Sequence, residues 1–210
     1  MRMTGLITIV AIGDSTTAGT PGFKSPLEAP PDGRGDIESQ YAHWLTQAHD
    51  DWRVLNRGIN GQRSDEIRAR FQRDVIDERP DVVVIIAGVN DVYQGRAAAS
   101  IANELELMYT AARDARIVVV AGSIVPYDTA GAGENARMRA VNNWIRSYAA
   151  AHPDAVLFCD TRAAVAVPNQ PDRLLSSPDG LHPSPDGYRR MADALETVIR
   201  AALAKAETLR

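Results

Sequence analysis

The chain has 210 residues, of which 45% are hydrophobic and 24% charged, and this composition suits one globular domain with a buried core. Its net charge of −4, without a basic run, excludes the electrostatic pattern of a nucleic-acid-binding protein. No stretch approaches the ~18 apolar residues of a membrane span, so we expect no stable membrane association. No linker, repeat or low-complexity tract divides the chain, which predicts a single domain over residues 1–210.

Five short apolar runs, rich in Val and Ile, predict buried strands. They cover residues 6–12, 53–55, 82–87, 117–121 and 156–158. Most of these runs do not alternate with polar residues, as expected of strands that helices cover on both faces. The first run continues into Asp14-Ser15 without a small-residue cleavage site, so we interpret it as a strand and expect a cytoplasmic protein.

Apolar residues recur at helical spacing between these runs. The four sets are Ile67, Phe71, Val75 and Ile76; Ile101, Leu105, Met108 and Ala112; Met138, Val141, Ile145 and Tyr148; and Tyr188, Met191, Leu195, Val198, Ala202 and Leu203. Ser184 and Pro185 are suited to cap and begin the last helix. Alternating strands and helices predict an α/β fold with a five-stranded parallel sheet and helices on both faces.

Three loops are longer than a connection requires, at residues 20–36, 126–135 and 167–180. They follow predicted strands or lie just after the segment that follows the last strand. Because open α/β sheets build their sites at the carboxyl ends of the strands, we expect these loops to surround the functional site.

The first predicted strand ends at Gly13-Asp14-Ser15. These residue types are common in turns, so a plain turn is one interpretation. The other is a serine nucleophile presented at the end of a rigid element, which requires a base, a group that orients the base, and donors for an oxyanion.

His182 is the candidate base, because it lies in a Gly- and Pro-rich segment with Asp179 three residues before it. A turn of that size can bring the carboxylate to the imidazole Nδ1, which fixes the tautomer of the ring. A plain Asp179-Gly180 turn is the alternative. The remaining histidines, at positions 43, 49 and 152, lie at predicted helices beside charged residues and should be solvated.

Two further segments could supply oxyanion donors. Asn90 follows a buried strand and could donate its amide, or it could be a turn residue next to a helix cap at Asp91. Gly61, in the segment 56–67, could bring a backbone N–H close to a substrate, or it could belong to a plain turn before a helix that begins near Ser64.

Taken together and in this order, these segments resemble the blocks of the GDSL-type esterases, also called SGNH hydrolases. The matching segments are "GDS" at 13–15, "GINGQ" at 58–62, "GVND" at 88–91 and "DGLHP" at 179–183. The resemblance implies a flavodoxin-like three-layer α/β/α sandwich with the site at its carboxyl edge. It also implies Ser15 as nucleophile, His182 as base and Asp179 as its partner, with the Ser15 N–H, the Gly61 N–H and the Asn90 side chain as oxyanion hole. Thr16 stands where the family has Leu, which leaves these roles intact and changes the local pocket.

The sequence therefore predicts a serine esterase that acts through an acyl-enzyme on short-acyl soluble esters or acetylated carbohydrates. A lysophospholipase or thioesterase of the same family is an alternative, and a non-catalytic nucleotide- or carbohydrate-binding α/β module is another. The segment after the first strand lacks G-x-G-x-x-G and the P-loop Lys, and the relaxed match "GAGENA" at 131–136 begins too far from its strand. His182 has no second His or Cys at ligand spacing, so we expect neither a metal nor a cofactor.

Substrate contacts are harder to predict. The aromatic residues Phe23, Tyr93 and Tyr127 lie in or near the long loops and could line an apolar pocket, or they could simply pack their own loops. The oligomeric state is not predicted. The loop at 20–36 has no helical apolar stripe, so it should not form a lid for a lipid surface.

Overall fold

The structure, a computed structural model, describes residues 6–208. The strands in chain order are β1 (Ile7–Gly13), β2 (Phe23–Lys24), β3 (Arg34–Gly35), β4 (Trp52–Gly58), β5 (Val82–Ile86), β6 (Val118–Gly122), β7 (Val156–Cys159), β8 (Ala166–Val167) and β9 (Gln170–Leu174). The helices are α1 (Ser15–Ala18), α2 (Tyr41–Ala48), α3 (Ser64–Ala69), α4 (Val89–Tyr93), α5 (Ala98–Asp114), α6 (Ala132–Ala151), α7 (Thr161–Val165) and α8 (Pro185–Thr208). A 3-10 turn at Ile37–Ser39 and a π-helical turn at Gln72–Ile76 complete them.

The centre of the fold is a five-stranded sheet with the order β4-β1-β5-β6-β7, and every neighbouring pair is parallel. Side chains of β1 alternate between two hydrophobic clusters because successive residues of a strand face opposite sides. Val10 and Ile12 pack with α3, α5 and α6, whereas Ile9 and Ala11 pack with α2 and α8. The predicted five-stranded, three-layer α/β/α fold is confirmed.

The sequence pattern predicted β1, β5, β6 and β7 well and the edge strand β4 poorly. The predicted strand at 53–55 is only part of β4, which pairs with β1 from Trp52 to Gly58. Polar residues hide its true length: Asn56 is buried, and its amide donates to Ala18 O at 3.1 Å and to Gln40 Oε1 at 2.7 Å. At this edge of the sheet a buried polar side chain is therefore stabilised by hydrogen bonds to two neighbouring segments, and the apolar pattern of a strand is interrupted.

The long loops contain short regular elements. Strands β2 and β3 form a hairpin within 20–36, and β8 and β9 form another that overlaps 167–180. Helix α6 begins at Ala132, inside the loop predicted at 126–135, because the Glu134 carboxylate accepts the Gly131 N–H at 2.6 Å and caps the helix. None of the helices within 6–208 is both long enough and apolar enough to span a bilayer.

The expectation that the three remaining histidines are solvated is wrong for His49. Its side chain is 11% exposed and contacts Glu196 at 3.0 Å. Its ring stacks on Trp52 with centroids 3.8 Å apart. An aromatic neighbour three residues along the chain and an acid on α8 bury a ring that the local sequence suggests is exposed.

Candidate active site

Ser15 is the first residue of α1, directly after β1 ends at Gly13. Asp14 caps this short helix, and its Oδ1 accepts the Thr16 N–H at 3.0 Å. A Cβ on Gly13 would lie 2.3 Å from Ile86 O and 2.2 Å from Thr17 Oγ1, so only glycine fits where the strand passes into the helix. The chain therefore turns sharply and leaves Ser15 at the carboxyl edge of the sheet.

Asn90 and Gly61 reach the same edge from β5 and β4. Asn90 lies in the first turn of α4, and its Nδ2 donates to Gln62 O at 3.0 Å, which fixes the amide and links the two segments. Gly61 has φ +76°, and a Cβ there would meet no atom within 4 Å, so backbone conformation rather than crowding favours glycine. The backbone hydrogen bonds within 6–208 leave the Ser15 and Gly61 N–H groups without an acceptor.

Asp179 and His182 form a compact turn just before α8. His182 Nδ1 lies 2.7 Å from Asp179 Oδ2, while Asp179 Oδ1 accepts the N–H groups of Leu181 and His182 at 2.9 Å each. Burial alone would raise the pKa of Asp179, but these hydrogen bonds hold that pKa below its usual range. An ionised carboxylate keeps the imidazole proton on Nδ1, which leaves Nε2 free to accept a proton.

A cavity of about 210 Å³ brings together groups that are distant in the chain. Its lining residues are Ser15, Thr16, Asn60, Val89, Asn90, Tyr93, Tyr127, Leu181 and His182. Among residues 6–208, no hydrogen bond joins Ser15 Oγ to His182, and such contacts commonly tighten only when substrate binds. Gly61 lies next to the cavity in the chain, beside the lining residue Asn60.

Two of the three aromatic residues considered as pocket walls line this cavity. Tyr93 is 63% exposed, and its ring meets the buried Tyr127 edge to face at 6.1 Å between centroids. Phe23 is not among the lining residues of this cavity and packs within its own loop, the other possibility that the sequence left open. It is 5% exposed in the β2–β3 hairpin, where its ring packs against Gly33.

Tyr127 and the Asp179–His182 turn are connected through Asp128. The Asp128 N–H donates to Gly180 O at 2.8 Å, and its Oδ1 accepts the Leu174 N–H at 2.9 Å. Ser177 supports the turn from within, since its Oγ accepts the Gly180 N–H at 2.8 Å and donates to His182 O at 2.6 Å. The loop after β6 therefore supplies Tyr127 to the cavity and is bonded to the turn that carries His182.

Asp14 is a buried carboxyl group immediately before Ser15. It is 1% exposed, and its Oδ2 has no hydrogen-bond partner among residues 6–208. Burial raises its pKa to about 7, against the hydrogen bond from Thr16, and the nearby charge of Asp91 adds to the shift. The protonated form of Asp14 is therefore favoured over a wide pH range.

Asp91 has a structural role that its sequence position conceals. The sequence suggests a cap for its own helix, but Asp91 is fully buried and accepts both the backbone N–H and the Oγ–H of Ser64 at 2.8 Å. Arg96 also contacts it at 3.0 Å. Asp91 therefore holds the first turn of α3 from α4, a contact between distant segments that local propensity does not indicate.

A protein-family model matches most of the chain. The model of the GDSL-like Lipase/Acylhydrolase family matches residues 11–190. The chain belongs to this family. Family membership places the protein among the carboxylic ester hydrolases, and the resemblance stated from the four sequence blocks is confirmed.

One curated relative matches a short part of the chain. An acetylxylan esterase from Geobacillus stearothermophilus is 45% identical over 42 residues, which is 20% of this chain and 19% of that protein. The aligned region thus spans about a fifth of this curated relative.

Solved structures match over most of the chain. A member of the lipolytic protein G-D-S-L family from Veillonella parvula has a TM-score of 0.77 at 20% identity, over 92% of this chain and 98% of that one. A catalytic mutant of an acetylxylan esterase from Geobacillus stearothermophilus has a TM-score of 0.72 at 22% identity, over 95% and 96%. At these identities the likeness shows the shared fold.

Proposed function

We propose that the protein is a serine esterase that hydrolyses short-acyl soluble esters, acetylated carbohydrates among them. The observation that carries this proposal is the shared cavity of Ser15, His182 and Asn90, with Asp179 bonded to the far side of the His182 ring. A binding module would have no need for a base and an oriented acid opposite a serine. The four groups together favour catalysis.

The proposed reaction has two halves. His182 Nε2 takes the Ser15 Oγ proton as Oγ attacks the ester carbonyl carbon, and the carbonyl oxygen becomes an oxyanion. His182 then gives that proton to the leaving alcohol, and the acyl group stays on Ser15. Water, deprotonated by His182, attacks the acyl-enzyme and releases the carboxylic acid, which restores the Ser15 hydroxyl.

The oxyanion would be held by three donors: the N–H groups of Ser15 and Gly61, and the Asn90 amide. Asn90 uses one amide hydrogen on Gln62 O, which leaves the second for the oxyanion. Because these donors are fixed before substrate arrives, they stabilise the developing charge without further reorganisation.

The size of the cavity favours a small acyl group. Its volume of about 210 Å³ lies below the ~300–1,000 Å³ of typical drug-sized ligand sites. Tyr93 and Tyr127 offer ring faces and edges beside the proposed nucleophile, and the relative named an acetylxylan esterase acts on an acetylated carbohydrate. A lysophospholipase, or a thioesterase that acts on long-chain thioesters, would need room for a long acyl chain.

A serine-reactive phosphonate tests the mechanism. We expect the wild-type protein to gain the mass of one phosphonyl group and the Ser15→Ala variant to gain none. Ser123→Ala is a matched control, because Ser123 is buried but bonded to Asp160 at 3.1 Å, away from the cavity lining. A folded Ser15→Ala protein that keeps more than a few per cent of the esterase activity would refute the nucleophile assignment.

The acyl preference is tested with p-nitrophenyl esters from C2 to C16, acetylated xylo-oligosaccharides and a micellar long-chain lipid. We expect kcat/KM to be highest for the shortest chains. A preference for C12 or longer esters, or activation at the micelle surface, would favour the lysophospholipase or thioesterase alternative.

A further inference from the structure

Arg70 is a buried cation at the carboxyl end of α3, outside the cavity lining. It is 7% exposed, and all three of its guanidinium nitrogens are hydrogen-bonded. Nη2 donates to Gly13 O at 2.9 Å, Nη1 donates to Arg57 O at 2.8 Å, and Nε donates to Gln62 Oε1 at 2.7 Å. Nη1 also pairs with Asp74 at 2.8 Å.

These acceptors belong to the segments that carry the three proposed oxyanion donors. Gly13 O lies in the peptide that joins Gly13 to Asp14, directly before the Ser15 N–H. Gln62 follows Gly61, and its own carbonyl oxygen receives the Asn90 amide at 3.0 Å. One guanidinium therefore connects the ends of β1 and β4 with the loop that touches Asn90.

Stability alone does not account for this arrangement. Desolvation of a guanidinium is costly, and buried ion pairs can often be replaced by apolar side chains without loss of stability. Asp74 also has a second partner, Arg73, whose Nε lies 2.6 Å from its Oδ1. Arg70 thus directs two of its nitrogens to main-chain carbonyls although a single carboxylate contact would neutralise its charge.

We propose that Arg70 is a positioning residue for the oxyanion hole, which sets the relative positions of the Ser15 N–H, the Gly61 N–H and the Asn90 amide. The inference rests on the proposed esterase function. The guanidinium donates to these acceptors from three nitrogens spread over a rigid planar fork, whereas the three N–H donors of a lysine ammonium all leave one nitrogen and cannot span the same acceptors. Displacement of an oxyanion donor weakens transition-state binding more than substrate binding.

The test compares Arg70→Lys with Arg162→Lys. Arg162 is a matched control because it is 6% exposed, pairs with Asp172 at 2.8 Å and donates to Ile124 O at 3.4 Å, and within residues 6–208 none of its hydrogen bonds goes to a residue of the cavity lining. We expect Arg70→Lys to lower kcat for p-nitrophenyl acetate about 10–100-fold with KM within about threefold of wild type. Arg162→Lys should keep kcat within about threefold.

Gln62→Ala provides a second variant that removes one Arg70 contact from a half-buried surface position. We expect a kcat loss of about tenfold, and Gln62→Glu, which keeps the acceptor oxygen, should recover most of it. Binding of butylboronic acid should weaken by the same factor as kcat/KM in each variant, because the tetrahedral serine adduct places an oxygen in the oxyanion hole.

Amide spectra separate this inference from the esterase proposal. The ¹H–¹⁵N resonances of Ser15 and Gly61 should move in Arg70→Lys and stay in place in Arg162→Lys, with no substrate present. Absence of wild-type ester hydrolysis would refute the proposed function, and the amide spectra would still report on Arg70. Wild-type kcat in both Arg70→Lys and Gln62→Ala, or equal kcat losses in the two lysine variants, would overturn the role of Arg70.

Discussion

His182 Nδ1 lies 2.7 Å from Asp179 Oδ2, and the other oxygen of the same carboxylate accepts the His182 N–H. One carboxylate thus fixes both the ring and the main chain of the proposed base. Because the acid and the base are three residues apart, one turn brings them together, and the Asp128 N–H supports that turn from the loop after β6.

Asp179→Asn should lower kcat by about 10⁴-fold, because the amide no longer holds the imidazole in the tautomer that leaves Nε2 free. Asp186→Asn is the control, since Asp186 is an exposed acid on α8 that pairs with Arg190 at 2.9 Å. Ester hydrolysis and circular dichroism are measured on both variants. A folded Asp179→Asn protein with a loss below tenfold would rule out the dyad as the functional pair.

The lowered pKa of Asp179 determines how the Asp179–His182 hydrogen bond should respond to pH. Its folded-state pKa is lowered, so the ionised form is stabilised by the fold and is lost only as pH falls through a value below its ordinary range. We therefore expect the His182–Asp179 hydrogen bond, followed by the downfield Nδ1 proton resonance, to persist from pH 8 to pH 5. Loss of that resonance above pH 5 would contradict the assignment.

Asn90→Ala should lower kcat by about 10²–10³-fold and leave KM nearly unchanged, since an oxyanion donor acts mainly in the transition state. Asn142→Ala serves as the comparison, because Asn142 is a buried amide that donates to Ile124 O at 3.0 Å away from the cavity. It should lower the unfolding temperature with kcat preserved. If Asn90→Ala behaves in the same way, Asn90 is only a structural residue.

Asp14 should make the protein less stable as pH rises. Its pKa is about 7 in the folded state and 3.8 in the reference state, so between these values the native protein holds a proton that the unfolded chain has released. The free energy of unfolding should therefore be lower above pH 7 than below pH 3.8, by about 4 kcal/mol for the full pKa difference.

Asp14→Asn keeps an oxygen for the Thr16 N–H and cannot ionise, so its stability relative to wild type should increase from pH 4 to pH 8. Urea denaturation across that range measures the difference. A constant difference between the two proteins would show that Asp14 is not held protonated by the fold.

The apolar runs that the sequence shows most clearly are those of the central strands. Val82–Ile86 is buried on both faces and stands out as a continuous run, whereas β4 at the edge mixes Arg53 and Asn56 with apolar residues. Hydrophobic pattern reports burial among apolar neighbours. It does not report burial that is satisfied by side-chain hydrogen bonds, and for that reason Asn56 masked most of its strand.

Some residues of the candidate site could likewise be predicted from the sequence, and others could not. Asp179 and His182 were predictable as a pair because a short turn brings them together, and Ser15 because a strand ends beside it. Arg70 was not predictable, since an arginine in a polar helical segment is usually solvated, and its acceptors come from three separate parts of the chain. The position of Phe23 stayed open at the level of the sequence, because composition does not reveal on which side of a hairpin an aromatic ring will pack.

The bond between Asp91 and Ser64 also bears on how such a chain changes over generations. Loss of the Ser64 hydroxyl alone removes a donor from a buried carboxylate, and loss of Asp91 alone leaves the Ser64 N–H and hydroxyl buried without their acceptor. A substitution at either position alone should therefore destabilise the protein, although the two residues are 27 positions apart in the chain. A mutant library that randomises one of these two positions while holding the other constant would sample mostly proteins with a weakened connection between α3 and α4.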